Sequence, residues 1–371
     1  MNTLEISGTL DADLHVFEDR PDLVRQPTER IRLDKEATSE AIDLFVCRTP
    51  DQLVSSCYLV VDLESRRLMV NQSYDNVGYW FPRARPKLTD DDFTLSSTPI
   101  PIEGPHVIIG GPIDSVWYHW LVSWCARFYI VRQLRPDLFE DPAVRFMVCT
   151  EARNQFRETA LAVGIPEDRI TWVTHDNDYL VQDAIVVTFP DQRYLYPEVV
   201  RGIAATLKAN LAADIEPGRR RIFASRQSFT TPKRRVANWA AIQPVLEAFG
   251  FEVVELGQLS ARDQIAMFSQ AQFVLGVHGS DLANLIFCEP GAIALVIENE
   301  RNLYHGLSAS LDILSGIVGV DYHCMIAEEA IDPDADYSHF PTLHNRDVII
   351  DPDGLRDRLI ALGCQPVVAA V

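Results

Sequence analysis

Apolar positions along this chain follow two rhythms that take turns. Short β-branched and aromatic runs predict strands over 106–110, 145–149, 169–173 and 184–188. Apolar residues recurring every three to four positions predict helices over 117–134, 151–163 and 197–211. The segment Ala212-Ala-Asp-Ile-Glu-Pro-Gly218 then breaks the helical rhythm and ends in a Pro-Gly turn. A second series follows it: strand 221–224, helix 236–249, strand 251–256, helix 261–270, strand 273–276, short helix 282–287, strand 293–297 and helix 303–314. Ser260 with Asp263 supplies a capping-box-like start for the helix over 261–270.

Strands alternating with helices predict parallel, doubly wound sheets. Two such series of similar size predict an α/β protein made of two Rossmann-like domains facing across a cleft. The first domain spans 1–212 and opens with an elaborated β-rich segment, visible in the runs 56–63 and 67–70 and followed by a Pro- and Asp-rich stretch over 82–92. The second spans 219–345, and a strand and helix over 346–371 form a tail expected to pack back on the first domain. Ligands in such folds sit beyond the carboxyl ends of the strands, so the loops after Gly110, Ala224, Gly276 and Ile297 are the places to search.

Charge narrows the partners. With 33 Lys and Arg against 53 Asp and Glu, the 371 residues carry a net charge of −20, which argues against nucleic acid as a partner. A composition of 47% hydrophobic and 23% charged residues suits a globular protein and excludes wholesale disorder. The seven cysteines include no Cys-x-x-Cys pair, which fits reduced, buried thiols better than a disulfide framework or a thiolate zinc site. Acidic residues from Glu5 to Asp22 stand where a secretory signal would be basic and then apolar. The apolar stretch over 115–126 falls short of the ~20 residues that span a bilayer. The expectation is a soluble, cytoplasmic protein.

The most informative motif is Gly276-Val-His-Gly-Ser-Asp-Leu-Ala-Asn284, between an apolar strand and a short apolar helix. Gly279 lets the backbone approach a ligand closely, and the free N–H groups of the helix start, at Ser280 and beyond, favour a phosphate. His278 can donate to a phosphoryl or sugar oxygen, and Asn284 can fix the loop by hydrogen bonds to the backbone. Asp281 competes with a phosphate for the same helix dipole. The alternative is a tight turn with a structural histidine. A second cluster gathers Arg226, Lys233, Arg234 and Arg235 around a strand end, where guanidinium groups could neutralise a leaving pyrophosphate; otherwise it is a solvated basic loop.

Glu298, at the end of the strand over 293–297, could accept both hydroxyls of a ribose. In the first domain Trp117, Trp120, Leu121, Trp124, Cys125 and Phe128 form the apolar stripe of a helix. His119 lies off that stripe, where an imidazole near neutrality could take a proton from a hydroxyl; Asp114 is the competing base. Acidic groups at Asp176 and Asp178, Asp332 to Asp336, Asp351 and Asp353, and Asp90 to Asp92 read as caps and turns, so no metal is expected.

In order and spacing, Ala224-Ser-Arg226, Arg235-Val-Ala-Asn238, Gly250-Phe-Glu-Val-Val254, Gln264-Ile-Ala-Met-Phe268, Val277-His-Gly279, Leu282-Ala-Asn284, Phe287, Pro290-Gly291 and Ile297-Glu298 resemble glycosyltransferase family 61. Tyr118-His-Trp-Leu121 is similar to an aromatic-His-Trp motif of its bacterial members, so the resemblance runs from about residue 100 to about 325. It implies a GT-B architecture, a nucleotide-diphosphate sugar held mainly by the C-terminal domain, and inversion without an essential metal or other cofactor. It assigns donor binding to Arg226, His278, Gly279, Asn284 and Glu298. It implies a glycan or glycolipid acceptor and assembly of capsular or other surface polysaccharide on the cytoplasmic side, leaving open a peripheral contact with the inner membrane and a homo-oligomer. Ser280 and Asp281 stand where the family usually has a small residue and a second glycine, and Trp239 stands where an acid is expected after Asn238. The alternatives are a GT-B-like epimerase or phosphorylase, and a non-catalytic nucleotide-sugar-binding protein.

Overall fold

The computed structural model describes residues 3–5, 20–32, 39–54, 60–64, 67–68, 92–94, 98–110, 116–149, 154–174, 176–188, 194–216, 218–229, 234–299, 307–331 and 345–367. By its contacts the chain is mixed α/β and divides into two compact units that meet in sequence at Asn210 and Leu211.

The first unit is built on a nine-stranded sheet. Strands β1 (Val24–Arg32) and β2 (Ser39–Val54) form a long antiparallel pair. They are followed by β3 (Ile100–Ile108), β4 (Arg145–Cys149), β5 (Ile170–Val173) and β6 (Tyr179–Val187). Across the sheet the order is β1-β2-β6-β3-β4-β5, with Tyr194–Leu195 on the outer side of β1. β6 is the seam, antiparallel to β2 and parallel to β3. The expected purely parallel sheet is corrected here: β1 and β2 add an antiparallel half. Pro27 and the charged Arg25, Glu29 and Arg30 break the apolar alternation that would have announced β1.

Helix α1 (117–134) changes winding along its length, with a π-helical turn over Trp120–Trp124 between two α-helical segments. All six residues of the expected stripe are buried. Arg127 is buried beside them; its Nη1 donates to the carbonyls of Ile108, Ile109 and Gly110 at 3.2, 3.4 and 3.3 Å. Its guanidinium also lies 4.8 Å from the Trp124 ring. An enclosed cation therefore satisfies the carbonyls where β3 runs out. Helices α2 (Asn154–Ala162) and α3 (Pro197–Leu211) complete the unit's main helices.

The second unit carries a parallel sheet of five strands: β7 (Arg220–Ala224), β8 (Glu252–Val254), β9 (Ala271–Val277), β10 (Ile293–Glu298) and β11 (Asp321–Ile326). Between them lie α4 (Trp239–Ala248), α5 (Ala261–Ser269), a 3₁₀ helix over Ser280–Phe287 and α6 (Leu307–Val318). Ser260 caps α5, its Oγ accepting from the Asp263 N–H at 3.0 Å. The strand order is β8-β7-β9-β10-β11. The chain thus winds outward from β7 to β8, then returns past β7 to β9. Doubly wound sheets bind ligands beyond the carboxyl ends of the strands where the winding reverses, which here is between β7 and β9.

Residues 345–367 belong to this second unit, which corrects the expectation that the tail returns to the first. Val348 bridges Val236 in parallel, donating its N–H to the Arg235 carbonyl and accepting from the Ala237 N–H, both at 2.8 Å. Helix α7 (Pro352–Ala361), capped by Asp351, places Leu355 and Leu359 in a core shared with Phe223, Leu246, Leu275 and Ile297. Burial of those two leucines ties the tail in place. Among the described residues no helix is long and apolar enough to cross a membrane.

Candidate active site

Two turns leave the sheet side by side at the reversal point. Ala224 of β7 is paired with Gly276 of β9, so Arg226 and Gly279, two and three residues further on, emerge as neighbours. The Arg226 side chain is only 7% exposed, and its Nη2 lies 2.8 Å from Asp281 Oδ2. A Cβ on Gly279 would stand 2.6 Å from Arg226 Cζ. Gly279 has extended backbone, with φ of 176°, so the close approach of the guanidinium is what demands glycine here. The 3₁₀ helix starts at Ser280 with no side chain capping it.

A second guanidinium belongs to the same neighbourhood. Arg234 has left-handed backbone, φ 66°, and its N–H donates to the Asn345 carbonyl at 3.0 Å. Its Nε is enclosed and has no hydrogen-bond partner among the described residues. Burial, and then the charge of Arg226, bring the Arg234 guanidinium down to about 9, while Asp281 and Glu298 act in the opposite sense. It is still a cation at neutral pH. Arg226 thus pairs with Asp281, and Arg234 lies within the electrostatic reach of Arg226, Asp281 and Glu298.

Arg235, also expected at the donor, is engaged elsewhere in this structure. Its backbone N–H and its Nε each donate to Asp347 at 2.8 Å, and its Nη1 donates to the Phe229 carbonyl at 3.1 Å. An arginine committed to a neighbour in this way anchors the turn. Lys233 lies outside the described residues. Glu255, which sequence reasoning missed, organises the turn from the other side. It accepts from Ser225 Oγ at 2.6 Å, from the Ser228 N–H at 3.2 Å and from Ser228 Oγ at 3.0 Å. Its position directly after β8 was the available signal.

Glu298 is fully buried, and its Oε1 lies 2.7 Å from His278 Nδ1. A carboxylate so enclosed cannot reach the hydroxyls of a ribose, and that expectation is corrected: its partner is the imidazole. Asn284 is also fully buried. Its Nδ2 donates to Gln264 Oε1 and to the Asp281 carbonyl, both at 2.9 Å. It holds the turn as expected, but as support beneath it rather than as a donor ligand. Trp239, at the start of α4, packs against Phe223 with ring centres 5.5 Å apart.

In the first unit His119 sits on the opening turn of α1, its ring 5.2 Å from that of Tyr118. Burial pushes its imidazole down to about 3. That direction runs against the expectation of an imidazole near neutrality. Asp114 lies outside the described residues.

Two guanidinium groups and a glycine turn at the winding reversal of an α/β unit make this the candidate site for an anionic ligand. A comparison of the sequence with family models points the same way: residues 117–295, just under half of the chain, match the model described as Glycosyltransferase 61. The matched span includes α1, Arg226, Arg234, His278, Gly279 and Asp281. The family so described consists of glycosyltransferases, which act on a sugar donor and an acceptor. No curated protein matches the chain as a relative.

Proposed function

We propose that this chain transfers a sugar from a nucleoside-diphosphate donor to a hydroxyl of a glycan or glycolipid, with inversion at the anomeric carbon. The observation that carries the reading is Arg226, enclosed on the Gly279 turn at the winding reversal, with Arg234 beside it. In-line attack passes through an oxocarbenium-like state while negative charge builds on the departing diphosphate. Fixed cations aimed at that charge stabilise the transition state more than the ground state. Arg226, Arg234 and the backbone of the Gly279 turn supply them, so the reading includes no metal and no other cofactor. A GT-B architecture, with the donor on the second unit, belongs to the same proposal.

The acceptor hydroxyl must lose its proton. Asp114, in the segment after β3, is the first candidate base, because the His119 imidazole at about 3 is a weak one. The proposed setting is surface-polysaccharide assembly in the cytoplasm, beside the inner membrane when the acceptor is lipid-linked.

A thermal-shift screen of the full chain against nucleoside diphosphates and their sugars tests the reading, since a ligand that binds only the folded state raises the melting temperature. A shift with one diphosphate sugar and its nucleoside diphosphate supports it; no shift with any of them refutes it. Asp281 on Arg226 favours one second reading, a nucleotide-sugar-binding protein without turnover. Donor binding with no product across a broad acceptor panel would favour that alternative.

A further inference from the structure

The pair of Glu298 and His278 is built like a device for holding a proton. Glu298 ends β10 without exposure to solvent, and its Oε1 meets His278 Nδ1 at 2.7 Å. An ionised carboxylate only accepts hydrogen bonds, so the ring hydrogen belongs on Nδ1, and Nε2 on the opposite edge is left for a ligand. The backbone fixes both members: the His278 N–H donates to the Ile297 carbonyl at 2.9 Å, and the Ala327 N–H donates to the Glu298 carbonyl at 2.8 Å. The residue after His278 is Gly279, on which the Arg226 guanidinium rests. Imidazole and guanidinium thus serve one turn.

The surrounding charge makes this placement purposeful. Arg226 and Arg234 contribute two positive charges, and Asp281 and Glu298 two negative ones, so these four groups balance without the histidine. On β11, burial raises both the Tyr322 hydroxyl and the Cys324 thiol, the latter to about 11, so neither adds charge at neutral pH. An arriving diphosphate leaves the pocket negative, and a proton on His278 is the local means of offsetting it.

We infer that Glu298 is a positioning residue that holds His278 with its Nδ1 hydrogen inward, so that His278 in its imidazolium form donates the Nε2 proton to the departing diphosphate. This rests on the donor reading above. As the bond from the anomeric carbon to the diphosphate oxygen breaks, its electron pair stays on that oxygen and the Nε2 proton moves to it. His278 is left neutral, its Nδ1 hydrogen still on Glu298. The proton of the acceptor hydroxyl leaves separately to a base as the new carbon–oxygen bond forms. His278 takes its next proton from water as the following donor binds, so the count of protons closes.

Nitrogen NMR of the full chain labelled with ¹⁵N-histidine tests this, with uridine, guanosine and adenosine diphosphates as probes. Wild type without probe is expected to show His278 in the Nδ1–H form, assigned by its loss in His278→Gln. Saturation with a diphosphate that binds should at least double the doubly protonated fraction of His278 at pH 7. Glu298→Gln, close in shape, should keep the melting transition, admit the Nε2–H form and lose most of that proton uptake; a merely structural glutamate would leave both unchanged. An Nε2–H tautomer in wild type overturns the inference, as does a bound diphosphate without proton uptake. If calorimetry shows that no diphosphate binds, the donor reading itself fails and the acid role with it.

Discussion

Asp281 Oδ2 lies 2.8 Å from Arg226 Nη2, so the guanidinium already has a counter-ion from its own chain. The carboxylate is 25% exposed while the guanidinium is nearly enclosed. A phosphoryl group that binds Arg226 must therefore exchange with a side chain tethered two residues beyond Gly279.

That exchange gives Asp281→Asn a double signature. Loss of the carboxylate leaves a buried guanidinium without its charge partner and should lower stability by about 1–3 kcal/mol. The same change removes the competitor, and affinity for a nucleoside diphosphate should rise about tenfold, or ~1.4 kcal/mol. Chemical denaturation and titration calorimetry measure the two effects. Equal or weaker affinity would show that carboxylate and ligand do not compete.

Arg226→Ala should lower turnover by roughly 10²-fold or more, in the range found when one fixed donor to a transition-state charge is removed. Affinity for the donor should fall less. Steady-state kinetics with the donor found by thermal shift separates the two, and unchanged turnover would remove Arg226 from the mechanism.

Gly279→Ala is a steric probe of the same contact. The added methyl would sit 2.6 Å from Arg226 Cζ, so the guanidinium has to move. The backbone there is extended and accepts alanine, so folding should survive with a loss of about 1–3 kcal/mol while diphosphate binding collapses. Wild-type affinity in this variant would mean that the guanidinium can shift without cost to the ligand.

Arg127→Met replaces the enclosed cation below the end of β3 with a chain of similar length. The carbonyls of Ile108, Ile109 and Gly110 lose a common donor, and unfolding free energy should fall by at least about 2 kcal/mol. A drop within error would show that these carbonyls find other partners.

Acid should destabilise the first unit through His119. Its imidazole is lowered to about 3 by burial, against 6.5 for the free side chain. The unfolded chain therefore binds the extra proton between those values. The stability this group contributes is complete above pH 6.5 and is lost progressively as the pH falls toward 3. His106, also lowered by burial, acts in the same direction. Urea unfolding at pH 7.5, 6 and 5 should give a slope that His119→Gln reduces; an unchanged slope would mean that His119 is open to solvent.

The second unit was the more legible in sequence, for a physical reason. Strands buried on both faces are continuous apolar runs, so β9 and β10 were readable from Phe273-Val-Leu-Gly276 and Ile293-Ala-Leu-Val-Ile297. In the first unit β1 and β2 carry charged residues at both alternating sets of positions, Arg25 and Arg30 or Glu40 and Asp43 among them, so no apolar face shows in the sequence. Arg226 and Gly279 stood out because each directly follows a strand. The contact of His278 with Glu298 spans 20 residues, yet Val277 and Ile297 are register partners, so parallel pairing of the two strands would have predicted it. Asp347 gave no such signal: it meets Arg235 across 112 residues, through a pairing that only the folded tail creates.

That late pairing orders the birth of the site. On a ribosome, Arg226, Arg234 and the Gly279 turn emerge well before residues 345–350, which secure Arg234 and Arg235 by their backbone. Until that segment arrives, the basic turn of a half-made chain has no clasp, and a polypeptide stalled before Asn345 should bind a nucleoside diphosphate more weakly than the finished chain does.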